Sequence, residues 1–279
     1  MLFRSGHVRA GLRRRVRADA PCSSTRRKLL LAFGAGALAA PLASFAQQQP
    51  AKIPRIGLLD YAALWEPLRQ GLRDLGYVEG KNIAFEYRPS EGRGKRLPEL
   101  AAELVRLKVD VIVSFGTPAT HAAKQATTTI PIVMVAIGDP LKTGLVASLA
   151  RPGGNITGNT ILGPEIVTKR LQLLKEAVPK LSRVALLYNP ANLSNVLNFS
   201  ELQVGAPALG VTLQAVKVSS PDQFASAFAA ATRERPGALI VTADPMHQVH
   251  MGRIVEFAAK NRLPAMYQVS ENEIGRAHV

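Results

Sequence analysis

Short apolar runs alternate with amphipathic segments along the first half of the chain after residue 52. Four of the apolar runs predict strands. Val109–Phe115 is a continuous β-rich run of the kind that is buried on both faces of a parallel sheet. The segments between them carry apolar residues at helical spacing. The predicted strands are Ile56–Leu59, Ile83–Tyr87, Val109–Phe115 and Ile132–Ile137, and the predicted helices are Pro67–Leu75, Arg96–Leu107 and one beginning at Thr117. For this last helix we expect Thr117 as the N-cap and Pro118 at the first helical position.

The alternation is interrupted at Arg151–Asn155, a Pro- and Gly-rich stretch, and then begins again. The second half predicts helices at Glu165–Val178, Ser194–Leu209, Pro221–Arg233 and His247–Asn261. Its predicted strands are Arg183–Tyr188, Thr212–Val218, Ala238–Thr242 and Pro264–Tyr267. Phe224 and Phe228 fall on one face of the helix over Pro221–Arg233. Gly210 is expected to end the helix over Ser194–Leu209.

Two successive βαβ blocks of similar size predict an α/β fold of two Rossmann-like lobes, each with a parallel sheet, over residues 53–160 and 161–270. Ligands of such sheets bind at the carboxyl ends of the strands. The polar turns that follow the strands are therefore the candidate binding residues, although turn chemistry alone also favours these residue types. The candidates are Asp60, Tyr61, Trp65, Gly116, Thr117, Asp139, Asn189 and Asp244.

The N-terminal 46 residues read as an export signal. Arg26 and Arg27 precede a short apolar run, Leu29–Ala40, and a small-x-small site ends at Ala46. The run is shorter than the roughly 20 residues a membrane span needs. The arginine pair is typical of the twin-arginine route. We expect cleavage near Ala46/Gln47, a linker over 47–52 and a periplasmic mature protein.

The net charge and the cysteine content exclude two classes of function. The chain has 35 basic and 20 acidic residues, but residues 1–46 hold nine of the basic residues and one acidic residue. The remainder has a net charge of +7 instead of +15, with no dense basic run, so nucleic-acid binding is not expected. Cys22 is the only cysteine and precedes the cleavage site, which leaves no thiol for a disulfide or a metal in the mature chain.

No motif for catalysis is complete. The chain lacks a G-x-S-x-G nucleophile elbow, and Gly92–Arg96 lacks the Ser or Thr that a phosphate loop needs after its lysine. His247 and His250 have a spacing that could ligate a metal, but no acidic partner is near, so both are expected on the surface, as is His121. We predict no enzyme activity, no metal and no cofactor.

The C-terminal residues 271–279 are expected to be a non-native tail. Glu273–Val279 resembles the translation of a sequencing adapter, and the fold is therefore expected to be truncated at its C-terminus.

Several segments resemble the ABC-transporter substrate-binding proteins of the tryptophan/tyrosine type. The resemblance covers roughly Ile53 to Tyr267 and is carried by Gly71–Ile83, Val109–Ala119, Gly138–Gly158, Tyr188–Asn192 and Leu263–Tyr267. It implies a type I periplasmic-binding fold that closes on a small ligand and then docks on a membrane permease. Tyr61–Trp65 departs from the small-residue loop of the family, and the family's return to the first lobe after Tyr267 is missing.

The first hypothesis is a monomeric periplasmic solute-binding protein of an ABC importer, for an amino acid or a small carboxylate or aromatic acid. Thr117 and the neighbouring N–H groups would bind a carboxylate, and Tyr61 or Trp65 would stack on the ligand. Asn189 and Asp244 would reach across from the second lobe, Asp244 to an ammonium group. The alternatives are an exported α/β enzyme, such as a hydrolase, and a periplasmic sensor lobe that signals without transport.

Overall fold

The computed structural model describes residues 52–60, 65–161 and 164–267. The expected export signal, Cys22, Tyr61 and the expected tail over 271–279 lie outside these ranges. Within them, no helix combines the length and the apolarity that crossing a bilayer requires.

The first lobe is a five-stranded parallel sheet with helices on both faces. Its strands are β1 (Arg55–Leu59), β2 (Ala84–Arg88), β3 (Val111–Phe115), β4 (Ile132–Ile137) and β5 (Ile156–Thr160), in the spatial order β2-β1-β3-β4-β5. Its helices are α1 (Trp65–Asp74), α2 (Leu97–Arg106) and α3 (Thr117–Ala126). Leu104, Ala123 and Ile112 pack on one face of the sheet, and Leu58, Trp65 and Val113 pack on the other. Each fully buried aliphatic side chain contributes about 1.5–3 kcal/mol to folding.

The second lobe repeats this plan with four parallel strands. The strands are β6 (Arg183–Tyr188), β7 (Thr212–Lys217), β8 (Ala238–Val241) and β9 (Ala265–Met266), in the order β7-β6-β8-β9. The helices are α4 (Pro164–Ala177), α5 (Leu193–Gly205), α6 (Phe224–Arg233), α7 (Pro245–Val249) and α8 (Met251–Lys260). Leu171, Leu186 and Leu202 form the core on one side of this sheet, and Phe224, Leu239 and Ile254 form it on the other.

The predicted two-lobe arrangement is confirmed, with three differences in detail. β5 was not predicted, because only Ile156 of its five residues is buried and Gly158 and Asn159 interrupt any apolar pattern. The predicted helix over His247–Asn261 is two helices that meet at His250. The predicted helix over Ser194–Leu209 stops at Gly205, and Pro207 then begins a short 3-10 turn that ends at Gly210 in the left-handed conformation, with φ of 63°.

Candidate functional site

The carboxyl ends of the two sheets enclose a cavity of about 380 Å³ between the lobes, here called the central cavity. The first lobe contributes Gly116 and Thr117 after β3, Gly138 after β4, and Thr160 at the end of β5. Phe115 and Ala136 add apolar wall. Ala136 has a φ of 55° at an irregularity in the β4–β5 pairing, and its N–H donates to Asn159 Oδ1 at 2.9 Å. The first lobe thus lines the cavity with small residues, the hydroxyl-bearing side chains of Thr117 and Thr160, and an apolar wall.

The second lobe supplies the charged groups of the central cavity. Arg170 of α4 and Asp244 after β8 both line it, and Asn192, Ser194 and Gln248 add hydrogen-bonding side chains. Among the described lining residues, Arg170 is the one cation and Asp244 the one anion. The cavity therefore has a basic and an acidic group together with an apolar surface.

The lobes touch directly beside this cavity, and this arrangement is here called the closed form. A Cβ atom at Gly116 would lie 2.7 Å from Cγ of Pro245, closer than real Cβ contacts allow. Gly116 also has a φ of 81°, a conformation that glycine adopts without strain. On the outside, Lys142 Nζ of the first lobe lies 3.3 Å from Glu201 Oε1 of α5.

The start of α3 differs from the prediction. Gly116, not Thr117, is the N-cap, and no side chain caps the helix. Thr117 is the first helical residue and Pro118 the second, so the prediction of a Thr117 cap was wrong. The reason is the φ of 81° at residue 116, which only glycine takes readily, and which makes Gly116 the last non-helical residue. The Thr117 side chain is buried at the wall of the central cavity.

Asp244 is held by a buried network inside the second lobe. Its Oδ2 accepts from Nδ2 of Asn189 at 3.0 Å and from Nδ2 of Asn192 at 2.9 Å, and its Oδ1 accepts from the Met246 N–H at 2.9 Å. Asn195 joins the same region to Thr242, whose hydroxyl donates to Asn195 Oδ1 at 2.7 Å. Asp244 is thus both the N-cap of α7 and a rigid part of the cavity wall.

A second, smaller cavity of about 140 Å³ lies on the other side of Asp244, here called the polar cavity. Asp60, Ser90, Lys95, Asn189 and Ser219 line it together with Asp244. Asp60 is buried and accepts a hydrogen bond from the Ser90 hydroxyl at 2.5 Å. Burial raises the pKa of Asp60 to about 6; the Ser90 bonds oppose this rise and the charge of Asp244 adds to it.

A model of the family described as ABC transporter substrate binding protein matches residues 62–274. The chain belongs to this family. Its fold is that of the type I periplasmic-binding proteins, with two α/β lobes of parallel strands.

Three relatives illustrate the similarity. A tyrosine-binding protein of Clostridioides difficile is 33% identical over 133 residues, which is 48% of this chain and 38% of that protein. A conserved domain protein of Vibrio cholerae has a crystal structure with 27% identity and a TM-score of 0.72, over 80% of this chain and 76% of that one. A Streptococcus pneumoniae protein solved in complex with L-Trp has 24% identity and a TM-score of 0.70, over the same shares of the two chains. The match to the tyrosine-binding protein thus spans well under half of that protein's length.

In this substrate-binding protein, five of the predicted site residues line one or both of the two cavities. Gly116, Thr117 and Asp244 line the central cavity, whereas Asp60 and Asn189 line the polar cavity with Asp244.

Trp65 and Asp139 lie elsewhere. Trp65 is buried in the apolar cluster of Leu58 and Val113, and its Nε1 donates to the Asp60 carbonyl at 3.3 Å. Asp139 Oδ1 accepts from the N–H groups of Leu141 at 3.1 Å and Lys142 at 3.0 Å, which is turn chemistry.

The histidines were wrongly expected on the surface. His247 is fully buried, with Nδ1 2.9 Å from the Thr242 carbonyl oxygen, and the half-buried His250 has its Nε2 enclosed near Gly92. His121 is half-buried, and burial and Lys124 lower its pKa. In the part of the chain that the structure describes, no three His, Cys, Asp or Glu side chains group as a metal site would need.

Sequence reasoning missed Arg170, Gln248 and Ser194 as cavity residues. Arg170 lies in the middle of α4, far from any strand end, and belongs to no motif. The sequence offers one indication: Arg170 follows Ile166 by four residues, so the two side chains lie on the same face of α4, and both line the central cavity.

Proposed function

We propose that this protein is the periplasmic solute-binding component of an ABC importer, and that it binds an amino acid or a small aromatic acid in the central cavity. The observation that carries the proposal is that one cavity between the two touching lobes is lined by Arg170, Asp244 and the first residue of α3. Family membership supports the transport role, and the permease is the partner this role implies.

Arg170 is the proposed anchor of the ligand carboxylate. A carboxylate that leaves water for a closed cavity needs a cation or several hydrogen bonds to offset the lost hydration. Arg170 supplies the cation among the described lining residues, and the N-terminus of α3 adds a partial positive charge at Thr117. The Thr117 hydroxyl is available to donate as well.

Asp244 is the proposed partner of a ligand ammonium group. Its three hydrogen bonds hold its two oxygens in place without neutralising the charge. A zwitterionic amino acid therefore matches the pair of Arg170 and Asp244, whereas a simple acid uses Arg170 alone. The similarity to a tyrosine-binding protein supports the amino acid over the simple acid.

The apolar part of the ligand would pack on the remaining wall of the cavity. Phe115, Ile161, Ile166 and Pro245 provide this surface. The volume of about 380 Å³ is in the lower part of the roughly 300–1,000 Å³ range of small-molecule sites. The ligand would be bound and released unchanged.

Calorimetry tests this proposal. L-tyrosine, L-tryptophan and benzoate are titrated into the parent protein, into Arg170→Gln and into Lys169→Gln. Lys169 is the matched control, because it precedes Arg170 on α4 but is exposed. Loss of a hydrogen-bonded charge pair costs about 1.5–3 kcal/mol, so Arg170→Gln is expected to weaken binding on the order of tenfold to a hundredfold. Equal affinities for the two variants contradict the proposal, as does recovery of a chemically altered ligand.

A further inference from the structure

Closing the lobes brings two buried carboxyl groups into one small space. Asp60 belongs to the first lobe and Asp244 to the second, and both line the polar cavity of about 140 Å³. Their exposed fractions are 3% and 2%. Two carboxylates that share a site with little water repel each other, and one of them then holds a proton more tightly.

The two carboxyl groups differ in how well their charge is stabilised. Asp244 accepts from two asparagine amides and a backbone N–H. In the part of the chain that the structure describes, the Asp60 side chain is stabilised by one residue, Ser90, through its hydroxyl and its backbone N–H, both neutral donors. Asp60 is therefore the member of the pair that takes the proton.

Asp60 is also fixed in place by its backbone. Its φ of 79° lies in the left-handed region, its N–H donates to the Arg88 carbonyl at 3.0 Å, and its own carbonyl accepts from Trp65 Nε1 at 3.3 Å. Two backbone hydrogen bonds and the Ser90 bond to the carboxyl leave the Asp60 side chain little freedom to turn away from Asp244.

The other charged groups around Asp60 do not remove this repulsion. Lys95 lines the polar cavity, but it lies in the turn before α2 and is exposed to solvent. Arg88 is paired with Glu103 at 2.6 Å, and Glu91 lies 3.8 Å from Arg96. His250 of the second lobe lies close to Gly92. Burial and the charge of Arg253 lower the pKa of His250, which disfavours its positively charged form.

We propose that, in mildly acidic solution, closure of the lobes transfers one proton from solvent to Asp60, so that the closed form holds a neutral Asp60 beside Asp244. The inference rests on one part of the proposed function, the opening and closing of the lobes, and does not depend on which ligand is bound. It makes capture of the ligand easier in acid, because the closed form then gains a proton that the open form does not hold.

The direction of the pKa change agrees with this account. Burial is the largest cause of the raised pKa of Asp60, and the charge of Asp244 adds to it. Opening the cleft exposes the Asp60 side chain to water and moves Asp244 away. Both changes return the pKa toward the ordinary value of 3.8.

The test uses no ligand, so its result is independent of whether an amino acid binds. Isotope-edited NMR follows the side-chain carboxyl of Asp60 from about pH 3 to about pH 8, a range that spans its ordinary and raised pKa. The resonance is assigned with Asp60→Asn, and each protein carries Cys22→Ser.

The measurement compares two forms of the protein. One form is locked closed by a short bismaleimide between Lys142→Cys and Glu201→Cys, two positions whose side chains meet across the lobes. The other is propped open by Gly138→Val, or by Ser194→Trp should the first variant fail to fold.

The expected midpoint is near 6 in the locked form and at least about one pH unit lower in the propped form. This difference establishes that the proton enters with closure. Equal midpoints in the two forms overturn the inference, because the shift then belongs to the first lobe alone.

Discussion

Gly138 of the first lobe and Ser194 of the second are in direct contact across the cleft. A Cβ atom at Gly138 would lie 1.8 Å from Ser194 Oγ and 2.9 Å from Ser194 Cβ, and it would approach no first-lobe atom within 4 Å apart from its chain neighbours. A larger residue at this position therefore obstructs closure while leaving the first lobe room to fold.

Gly138→Val is expected to weaken ligand binding by tenfold or more, with little change in melting temperature. The reason is that the valine side chain prevents the lobes from meeting, so the ligand is held by one lobe. Gly71→Val is the matched control, since no atom lies within 4 Å of a Cβ atom there. Calorimetry with L-tyrosine measures the affinity, and equal affinities for the two variants would show that closure is not needed.

Thr117→Val separates binding from helix capping. Because Gly116 is the N-cap, removing the Thr117 hydroxyl is expected to leave stability almost unchanged. The affinity for L-tyrosine is expected to fall by roughly twofold to tenfold, the equivalent of one hydrogen bond of about 0.5–1.5 kcal/mol. Thermal melting and calorimetry on the same sample check both effects. A large loss of stability with no loss of affinity contradicts the placement of Thr117 at the ligand.

Asp244→Asn and Asp244→Ala are expected to behave differently. The alanine variant leaves the amides of Asn189 and Asn192 without their acceptor and removes the cap of α7, so unfolding should require at least about 1–3 kcal/mol less free energy. The asparagine variant keeps the size and the cap oxygen but turns an NH2 group toward the same two amides, so the effect of the charge is read from two ligands compared on this one variant. Its affinity should fall more for L-tyrosine than for 3-(4-hydroxyphenyl)propionate, which has no ammonium group. Equal losses for the two ligands would mean that Asp244 does not pair with the ammonium.

The apparent affinity for L-tyrosine is expected to fall as pH rises from about 4 to 6 and to level off above that range. The sign follows from the pKa of Asp60, which is about 6 in the closed form and which, under the proposal above, moves toward its ordinary value of 3.8 when the cleft opens. In this window the closed form holds a proton that the open form has lost, which changes affinity by up to about tenfold per pH unit. Asp60→Asn should flatten the profile. A profile that is the same in the parent and the variant assigns the pH dependence to another group.

The fold could be predicted from the chain wherever a strand is buried on both faces. Ile132–Ile137 and Arg183–Tyr188 have the predicted bounds, because their apolar runs are continuous and are followed directly by the turn residues Gly138 and Asn189. β5 could not be predicted, since four of its five residues are exposed and its place is set by pairing with β4.

The candidate site was predicted only where it follows a strand end. Gly116, Thr117 and Asp244 were found in this way, as each lies at a strand-to-helix turn. Arg170 was not found, because its place at the cavity depends on how the two lobes meet and not on its neighbours in sequence. The burial of His247 was not predicted either, because it depends on packing against residues distant in sequence, such as Phe224, whose ring centroid lies 6.3 Å from that of His247.

The most direct test of the central claim is whether Arg170 recognises the ligand carboxylate. Calorimetry compares L-tyrosine with tyramine, which lacks the carboxylate, on the parent protein and on Arg170→Gln. The account predicts that the substitution weakens L-tyrosine binding tenfold or more and leaves tyramine binding within about twofold. Equal losses for the two ligands, or no loss for either, would contradict the placement of the ligand in the central cavity.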